Sequence, residues 1–279
     1  MVIPDETRKL IAALSLAVDG SKGIPVDADE RVLDAQGLAM KCLFHASSCL
    51  SLYGGTVLTS ADTRVLDTPS MNVLARAAVE SSLTFHHLFV APRDPSLREF
   101  RHLSWLLGDL LERQAFRATT PEHKQQLADE AGQIQALQAR LRANPELGKL
   151  SVKQQGQLLT KNKWRWPGWT DIALDAGMSV LHADQLYRYL CSFAHSGSLS
   201  VLQLRQPKTT NDKRALGEGA LQTVNVALAF MIRGYSTVFT GAATAVATDS
   251  VLSSAVDLWY GLGSGDERRV EQGDEADER

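Results

Sequence analysis

The sequence predicts an all-α protein, built as a bundle of helices. Apolar residues recur at helical spacing along nearly the whole chain, and the longest alternating apolar and polar piece is GGTVLTS at 54–60. Three helix starts also share one device, in which a capping residue directly precedes a proline at the first helical position. These pairs are Thr68 with Pro69, Asp94 with Pro95, and Thr120 with Pro121.

Periodicity and capping signals together define the predicted helices. They cover about 5–18, 27–53, 69–91, 95–117, 121–143, 170–195, 214–241 and 245–260. Between 121 and 162 the apolar positions thin to one narrow seam, consisting of Leu127, Ile134, Leu137 and Leu141. Such a seam is typical of a surface helix, although a protruding hairpin that packs on a second subunit would show it too.

We expect a single helical domain over 1–262. Its core would comprise about 27–118 and 166–260, with a helical insertion over about 119–165. Residues 263–279 combine charge and glycine with almost no apolar side chains, which predicts a disordered acidic C-terminal tail.

Composition limits the class of protein. A chain of 279 residues that is 44% hydrophobic can bury a large core, and its net charge of −3 confines any nucleic-acid binding to a local patch. Three cysteines and a first segment without a signal-peptide pattern indicate a reduced, cytoplasmic protein. Polar and charged residues interrupt the apolar stretch 220–260, so we expect buried helices there and no membrane span.

No pattern in the sequence predicts a cofactor or a metal. A Gly-rich phosphate loop is missing, and the serines lie outside any nucleophile elbow. Cys42, His45 and Cys49 fall on one helix, where packing of small residues explains them better than a zinc site, whose ligands usually come in close pairs from a loop. We therefore expect neither a metal nor a cofactor.

The segment DQLYRYLCSFAHSGSLS, at 184–200, carries the most suggestive polar pattern. At about 100° per residue, the polar side chains fall on one stripe of a helix, opposite an apolar face. This stripe consists of Asp184, Arg188, Ser192 and His195. One interpretation is an exposed ion pair between Arg188 and Asp184, and another is that Arg188 and His195 act together on one bound phosphate.

The spacing Arg188-x6-His195 resembles the Arg-x4-6-His motif of the HEPN superfamily, all-helical domains that include metal-independent ribonucleases of bacterial toxin and antiviral systems. LARAAVESSLTFHHLFV, LREFRHLSWLLGDLLERQ, WRWPGWTDIALDAGM and LYRYLCSFAHSG, within roughly 70–200, resemble an uncharacterised bacterial family of HEPN-like type. In that family an Arg-x3-Glu helix, a Trp-x-Gly junction and a Tyr…Ser-x2-His helix follow in this order.

This resemblance implies a HEPN-like bundle that cleaves RNA. Arg188 and His195 would be the catalytic pair, and Arg76 and Glu80 would lie on the facing helix. The histidine would act as general acid and base while the 2′-hydroxyl of a ribose attacks the adjacent phosphate, which arginine would hold. Tyr187, Asp184 and Ser192 would support the pair.

The resemblance also implies partners. They are RNA, a second copy of the chain whose motif faces the same cleft, and an antitoxin or another protein of a defence system. Active members often carry Asn, Asp or His directly after the arginine, where this chain has Tyr189.

A second segment, KLSVKQQGQLLTKNKWRWPGW, mixes cations with tryptophans. Cations hold a phosphate backbone and aromatic faces stack on bases, so this pattern predicts RNA contacts. The predicted contact residues are Lys161, Lys163, Trp164 and Arg165. Trp166 and Trp169 flank a Pro-Gly pair, and we expect them to anchor the segment to the core instead.

Two alternatives to the ribonuclease stay open. One is a non-catalytic helical protein whose polar stripes form a partner interface or bind a nucleotide. The other is a DNA-binding regulator, because TDIALDAGMSVLHADQLYRYL has the small-residue spacing and the central Gly177 of a helix-turn-helix.

Overall fold

A computed structural model describes residues 1–22, 31–57, 64–207 and 209–266. The fold is all-α, as predicted. The α-helices are α1 (Ile3–Gly20), α2 (Arg31–Tyr53), α3 (Thr68–Phe85), α4 (Pro95–Arg113), α5 (Pro121–Ala143), α6 (Val152–Thr160), α7 (Trp169–Asp175), α8 (Tyr187–Ala194), α9 (Ser198–Arg205), α10 (Thr210–Val238), α11 (Thr240–Ala247) and α12 (Ser250–Ser264). Two short strands, β1 (Thr56–Val57) and β2 (Arg64–Val65), pair antiparallel.

The chain forms two compact units. The described parts of Met1–His86 and Trp169–Arg279 make up the first unit, and His87–Gly168 make up the second. The predicted insertion, 119–165, lies within the second unit.

Helix α10 is the centre of the first unit. It packs against α1, α2, α3 and α12, and nearly every residue from 220 to 232 is buried. By length and composition alone this helix could cross a membrane, but 72% of its most apolar 18-residue stretch is buried inside the protein. Burial of this extent is typical of a core helix, as expected from the interrupted apolar stretch.

Two of the three predicted N-caps are confirmed. The Asp94 carboxylate accepts a hydrogen bond from the Ser96 N–H at 2.7 Å, and the Thr120 hydroxyl accepts one from the His123 N–H at 3.3 Å. The prediction for Thr68 was wrong, because the carboxylate of Asp67 caps α3 and Thr68 is already helical.

The prediction of a single helix over 170–195 was also wrong. Helix α7 ends at Asp175, and Gly177 adopts a φ of 87°, a left-handed conformation that interrupts the helix and that glycine takes without strain. A π-helical segment, Leu181–Leu186, then leads directly into α8.

The helix predicted over 245–260 is two helices, α11 and α12. Between them the Asp249 carboxylate accepts hydrogen bonds from the N–H groups of Val251 and Leu252, which starts a new helix. Helix α12 extends to Ser264, so the first two residues of the predicted tail are helical. Residues 267–279 of that tail lie outside the described residues.

Two short helices, α6 and α9, were not predicted. Helix α6 begins with a capping box formed by Ser151 and Gln154, a local signal that the sequence does contain. Helix α9 has apolar residues on exposed positions, including Val201 and Leu204, and therefore lacks the polar face that identifies a helix in a sequence.

The second unit has its own apolar core, formed by α4, α5, α6 and a 3₁₀ helix, Pro145–Lys149. Ile134 and Leu141 of the predicted seam are buried in it, and most other positions of α5 are exposed. Trp166 packs against the same core, as expected for an anchoring residue.

Candidate functional site

A hydrogen-bonded group of polar side chains joins α3 and α8 in the first unit. We call it the Arg76 cluster, and it consists of Arg76, Glu80, Tyr187 and His195. Arg76 Nε donates to Glu80 Oε1 at 2.9 Å, Nη2 contacts Tyr187 Oη at 3.5 Å, and Nη1 lies 3.3 Å from His195 Nε2. Tyr187 Oη in turn donates to Glu80 Oε1 at 2.8 Å.

Helix geometry explains how the cluster assembles. Arg76 and Glu80 are four residues apart on α3, and this spacing puts them on one face of the helix. Tyr187 is the first residue of α8 and His195 is its C-cap, and α8 packs against α3. The two ends of a short helix therefore supply two side chains to the same guanidinium.

Burial within the cluster is graded. The side chains of Arg76 and Glu80 are 19% and 29% exposed, whereas His195 is exposed. This ion pair is thus better shielded from water than an ordinary helix-surface pair.

Electrostatics fixes the charge states of two groups. Burial acts to lower the pKa of Arg76, but Glu80 and Tyr187 raise it by more, so the pKa ends above its usual value and the guanidinium stays charged. Burial, and after it the hydrogen bond to Glu80, raises the pKa of Tyr187, so the phenol stays a neutral donor.

The contact between Arg76 and His195 also defines a tautomer. A guanidinium only donates hydrogen bonds, so Nε2 of His195 must accept when this bond forms. The imidazole is then neutral, and its proton lies on Nδ1. In this arrangement the guanidinium occupies the lone pair at Nε2, so His195 can act as a general base only after the guanidinium has moved.

The backbone directly after His195 is strained. Ser196 has a φ of 51°, a left-handed conformation usually taken by glycine at the end of a helix. The N–H of Gly197 donates to the carbonyl of Ser192 at 2.8 Å, which closes a Schellman-type cap around this residue. This strained cap holds His195 at the end of α8, and no sequence signal identified it, because glycine comes one residue later.

The predicted stripe of α8 is only partly reproduced. Arg188 Nε donates to Asp184 Oδ1 at 2.9 Å, and the Arg188 side chain is 79% exposed. His195 contacts Arg76 instead of Arg188, because a C-cap residue lies outside the regular helix on which the stripe was drawn. Ser192 takes part in the cap through its backbone carbonyl.

The predicted RNA-contacting residues lie in the second unit. Lys161 and Lys163 are exposed. The Arg165 guanidinium lies 5.5 Å from the centre of the Trp164 ring and donates to the carbonyl of Pro167 at 2.6 Å. The structure therefore places two exposed cations beside an arginine that stacks on a tryptophan.

Cys42 and Cys49 contribute to packing. Their thiols lie 3.7 Å and 3.6 Å from the α3 carbonyls of Ala78 and Met71, and burial raises the pKa of each to about 12. Among the residues that the structure describes, no group of three or more His, Cys, Asp or Glu side chains is placed to hold a metal ion.

The fold and the site define an all-α protein with a polar cluster of arginine, glutamate, tyrosine and histidine between two helices. Residues 39–213, more than half of the chain, match a family of unknown function (DUF5677), and the chain belongs to this family. The matched region includes the whole Arg76 cluster. Neither the curated proteins nor the solved structures contain a match.

Proposed function

We propose that this protein is a HEPN-like, metal-independent RNA endonuclease of a bacterial toxin or phage-defence system, and that it acts in the cytoplasm. The observation that carries the proposal is the 3.3 Å contact between Arg76 Nη1 and His195 Nε2. It sets a permanent cation beside an exposed imidazole. Cleavage of a phosphodiester without a metal needs these two groups, one to hold the phosphate and one to move protons.

In the proposed reaction, the 2′-oxygen of a ribose attacks the adjacent phosphorus. The new oxygen–phosphorus bond forms as the bond from phosphorus to the 5′-oxygen of the next nucleotide breaks. His195 takes the proton of the 2′-hydroxyl and returns a proton to the departing 5′-oxygen. The products are a 2′,3′-cyclic phosphate and a 5′-hydroxyl.

Arg76 has two roles in this reaction. Without substrate, its Nη1 group covers the lone pair of His195 Nε2. A bound phosphate draws the guanidinium onto its own oxygens, which frees the lone pair beside the 2′-hydroxyl and stabilises the growing negative charge. Glu80 and Tyr187 position the guanidinium and are not catalytic themselves.

Arg188 is the second proposed phosphate ligand. In its ion pair with Asp184, the side chain of Arg188 is 79% exposed. Exposed pairs of this kind contribute at most about 1 kcal/mol to stability. A phosphate dianion or diester oxygen therefore competes easily for the guanidinium. Both arginines belong to the two helices that carry the Arg76 cluster.

We further propose that the enzyme is a homodimer. The support is α9, which begins three residues after His195 and exposes Leu199, Val201, Leu202 and Leu204. Large apolar side chains grouped on one short helix are typical of a surface that a partner covers. In such a dimer the two sites would share one cleft, while an antitoxin or another defence protein would block it.

Cleavage of RNA in the presence of EDTA tests the proposal. Wild type is expected to cleave purified cellular RNA, and His195→Ala is expected to lower the rate by at least about 100-fold, the usual contribution of a general acid and base. Arg188→Ala is expected to weaken cleavage as well. His123→Ala and Arg140→Ala are matched controls, because each removes a residue of the same type from the exposed surface of α5.

The proposal fails if wild type leaves RNA intact, or if His195→Ala and Arg188→Ala both cleave as fast as wild type. Intact RNA together with salt-sensitive RNA binding would favour the non-catalytic alternative. Loss of that binding in variants of Lys161 and Lys163 would then assign the contact to the second unit.

A further inference from the structure

A cavity of about 720 Å³ lies in the first unit, apart from the contacts of the Arg76 cluster. The π-helical segment Leu181–Leu186, helix α10 and helix α12 supply most of its wall. Leu216, Val226 and Trp259 are among its apolar side chains. Its volume lies in the range of cavities that hold small molecules, about 300–1,000 Å³.

The side chains that line this cavity carry no formal charge. Among the described lining residues there is no Asp, Glu, Lys or Arg, and His182 and Tyr189 are the titratable side chains. Burial lowers the pKa of His182 and raises the pKa of Tyr189, so both are neutral at neutral pH. Met1, which carries an α-amino group, also lines the cavity.

The cavity nevertheless offers hydrogen bonds. The side-chain amides of the exposed residues Gln185 and Gln222 form no hydrogen bond within the part of the chain that the structure describes, so they are open to a ligand. An amide supplies both donors and an acceptor. These groups match a molecule that is mostly apolar but carries one or two oxygen or nitrogen atoms.

We infer that this cavity binds a mostly apolar small molecule with one or two hydrogen-bonding groups. The site is chemically distinct from the Arg76 cluster, because apolar side chains and neutral amides line the cavity, whereas a guanidinium and a carboxylate form the cluster. This inference does not depend on the proposed ribonuclease activity.

Gly219 offers a way to fill the cavity without disturbing the fold. It lines the cavity, and a Cβ atom added there meets nothing within 4 Å. Gly219→Phe thus puts a ring into the cavity from the surface of α10. Gly37→Phe is the matched control, because Gly37 is also an exposed helical glycine with open space around an added Cβ, but it does not line the cavity.

The test is titration of the intact protein with N-phenyl-1-naphthylamine, a neutral apolar dye whose fluorescence rises in an apolar site. We expect saturable binding to wild type and to Gly37→Phe, and loss of binding in Gly219→Phe.

Two outcomes would overturn the inference: no saturable binding of the neutral dye to wild type, or equal binding to Gly219→Phe. Circular dichroism checks that Gly219→Phe is folded. If it is not, Leu262→Trp replaces it, since Leu262 lines the cavity and is 36% exposed. Retention of dye binding by a folded Leu262→Trp would then overturn the inference as well.

Discussion

Tyr187→Phe removes a single oxygen atom from the Arg76 cluster. The aromatic ring stays in place, and so does the contact in which the Arg76 guanidinium lies 5.7 Å from the ring centre. What is lost is the 2.8 Å hydrogen bond from the phenol to Glu80, together with the longer, 3.5 Å contact from Arg76 Nη2 to the phenol oxygen. This substitution therefore isolates the polar part of the cluster from its packing.

The expected loss of stability follows mainly from the bond to Glu80, which is the shorter of the two contacts. A hydrogen bond to a charged group contributes about 1.5–3 kcal/mol, and partial access of water to Glu80 reduces that figure to about 1–2 kcal/mol. For a domain of this size the melting temperature should fall by about 2–8 °C.

The effect should also depend on pH. Because the folded state raises the pKa of Tyr187, its contribution is complete below the pKa of an unfolded tyrosine, about 10, and declines as the pH rises above that value. Above about pH 10 the unfolded chain loses the phenolic proton while the folded chain keeps it. The difference between wild type and Tyr187→Phe is therefore expected to be smaller at pH 10.5 than at pH 8.

Urea unfolding at both pH values measures this difference. Tyr260→Phe is a matched control, because an arginine also lies over the Tyr260 ring, at 5.3 Å, whereas its hydroxyl forms no hydrogen bond within the described residues. Equal free energies of unfolding for wild type and Tyr187→Phe, or equal losses in the two variants, would refute the assignment of this hydrogen bond.

Three further predictions concern the helix ends. Ser196→Gly should raise the free energy of unfolding by about 1 kcal/mol, because glycine relieves the left-handed strain, and RNA cleavage should not increase. Thermal or urea unfolding measures this change, and destabilisation would contradict it. Gly241→Ala should destabilise the folded protein by about 1–3 kcal/mol, since the new Cβ meets the backbone of Gly20. Gly37→Ala adds its Cβ in open space and should stabilise the protein, and equal effects of the two substitutions in calorimetry would contradict this prediction. Asp249→Ala should cost about 1 kcal/mol and expose the amides at the start of α12 to faster hydrogen exchange, and unchanged exchange would argue against the cap.

Much of the fold was predictable because its signals are local. Asp94 and Thr120 cap their helices as the residue before a proline suggests, and the apolar seam of α5 is buried at Ile134 and Leu141. These features depend on residues within one or two helical turns. A single sequence contains all the information that they require.

The break between α7 and α8 was indicated only by the helix-turn-helix alternative, which put Gly177 between two helices. The prediction of one helix ran through it, because one glycine within a helical pattern does not by itself end a helix, and the π-helical segment that follows does not take 100° per residue. The angular positions of side chains counted through this segment therefore drift. This error does not affect the ion pair of Asp184 and Arg188, because only four residues separate them.

The Arg76 cluster was only partly predictable from the sequence. Arg76, Glu80, Tyr187 and His195 all follow from the resemblance, but the bond that joins Arg76 to His195 spans 119 positions of the chain. Its geometry depends on the strained conformation of Ser196, and serine gives no signal for that conformation. Long-range contacts of this kind become visible only in the folded structure.

Mass spectrometry of the RNA ends produced in EDTA shows which bond the protein breaks. We expect fragments that carry 2′,3′-cyclic phosphate and 5′-hydroxyl ends, formed by wild type and at least about 100-fold more slowly by His195→Ala. Fragments with 5′-phosphate ends, or the same cyclic phosphates formed at the wild-type rate by His195→Ala, would contradict the claim that the Arg76 cluster cleaves RNA through the 2′-hydroxyl.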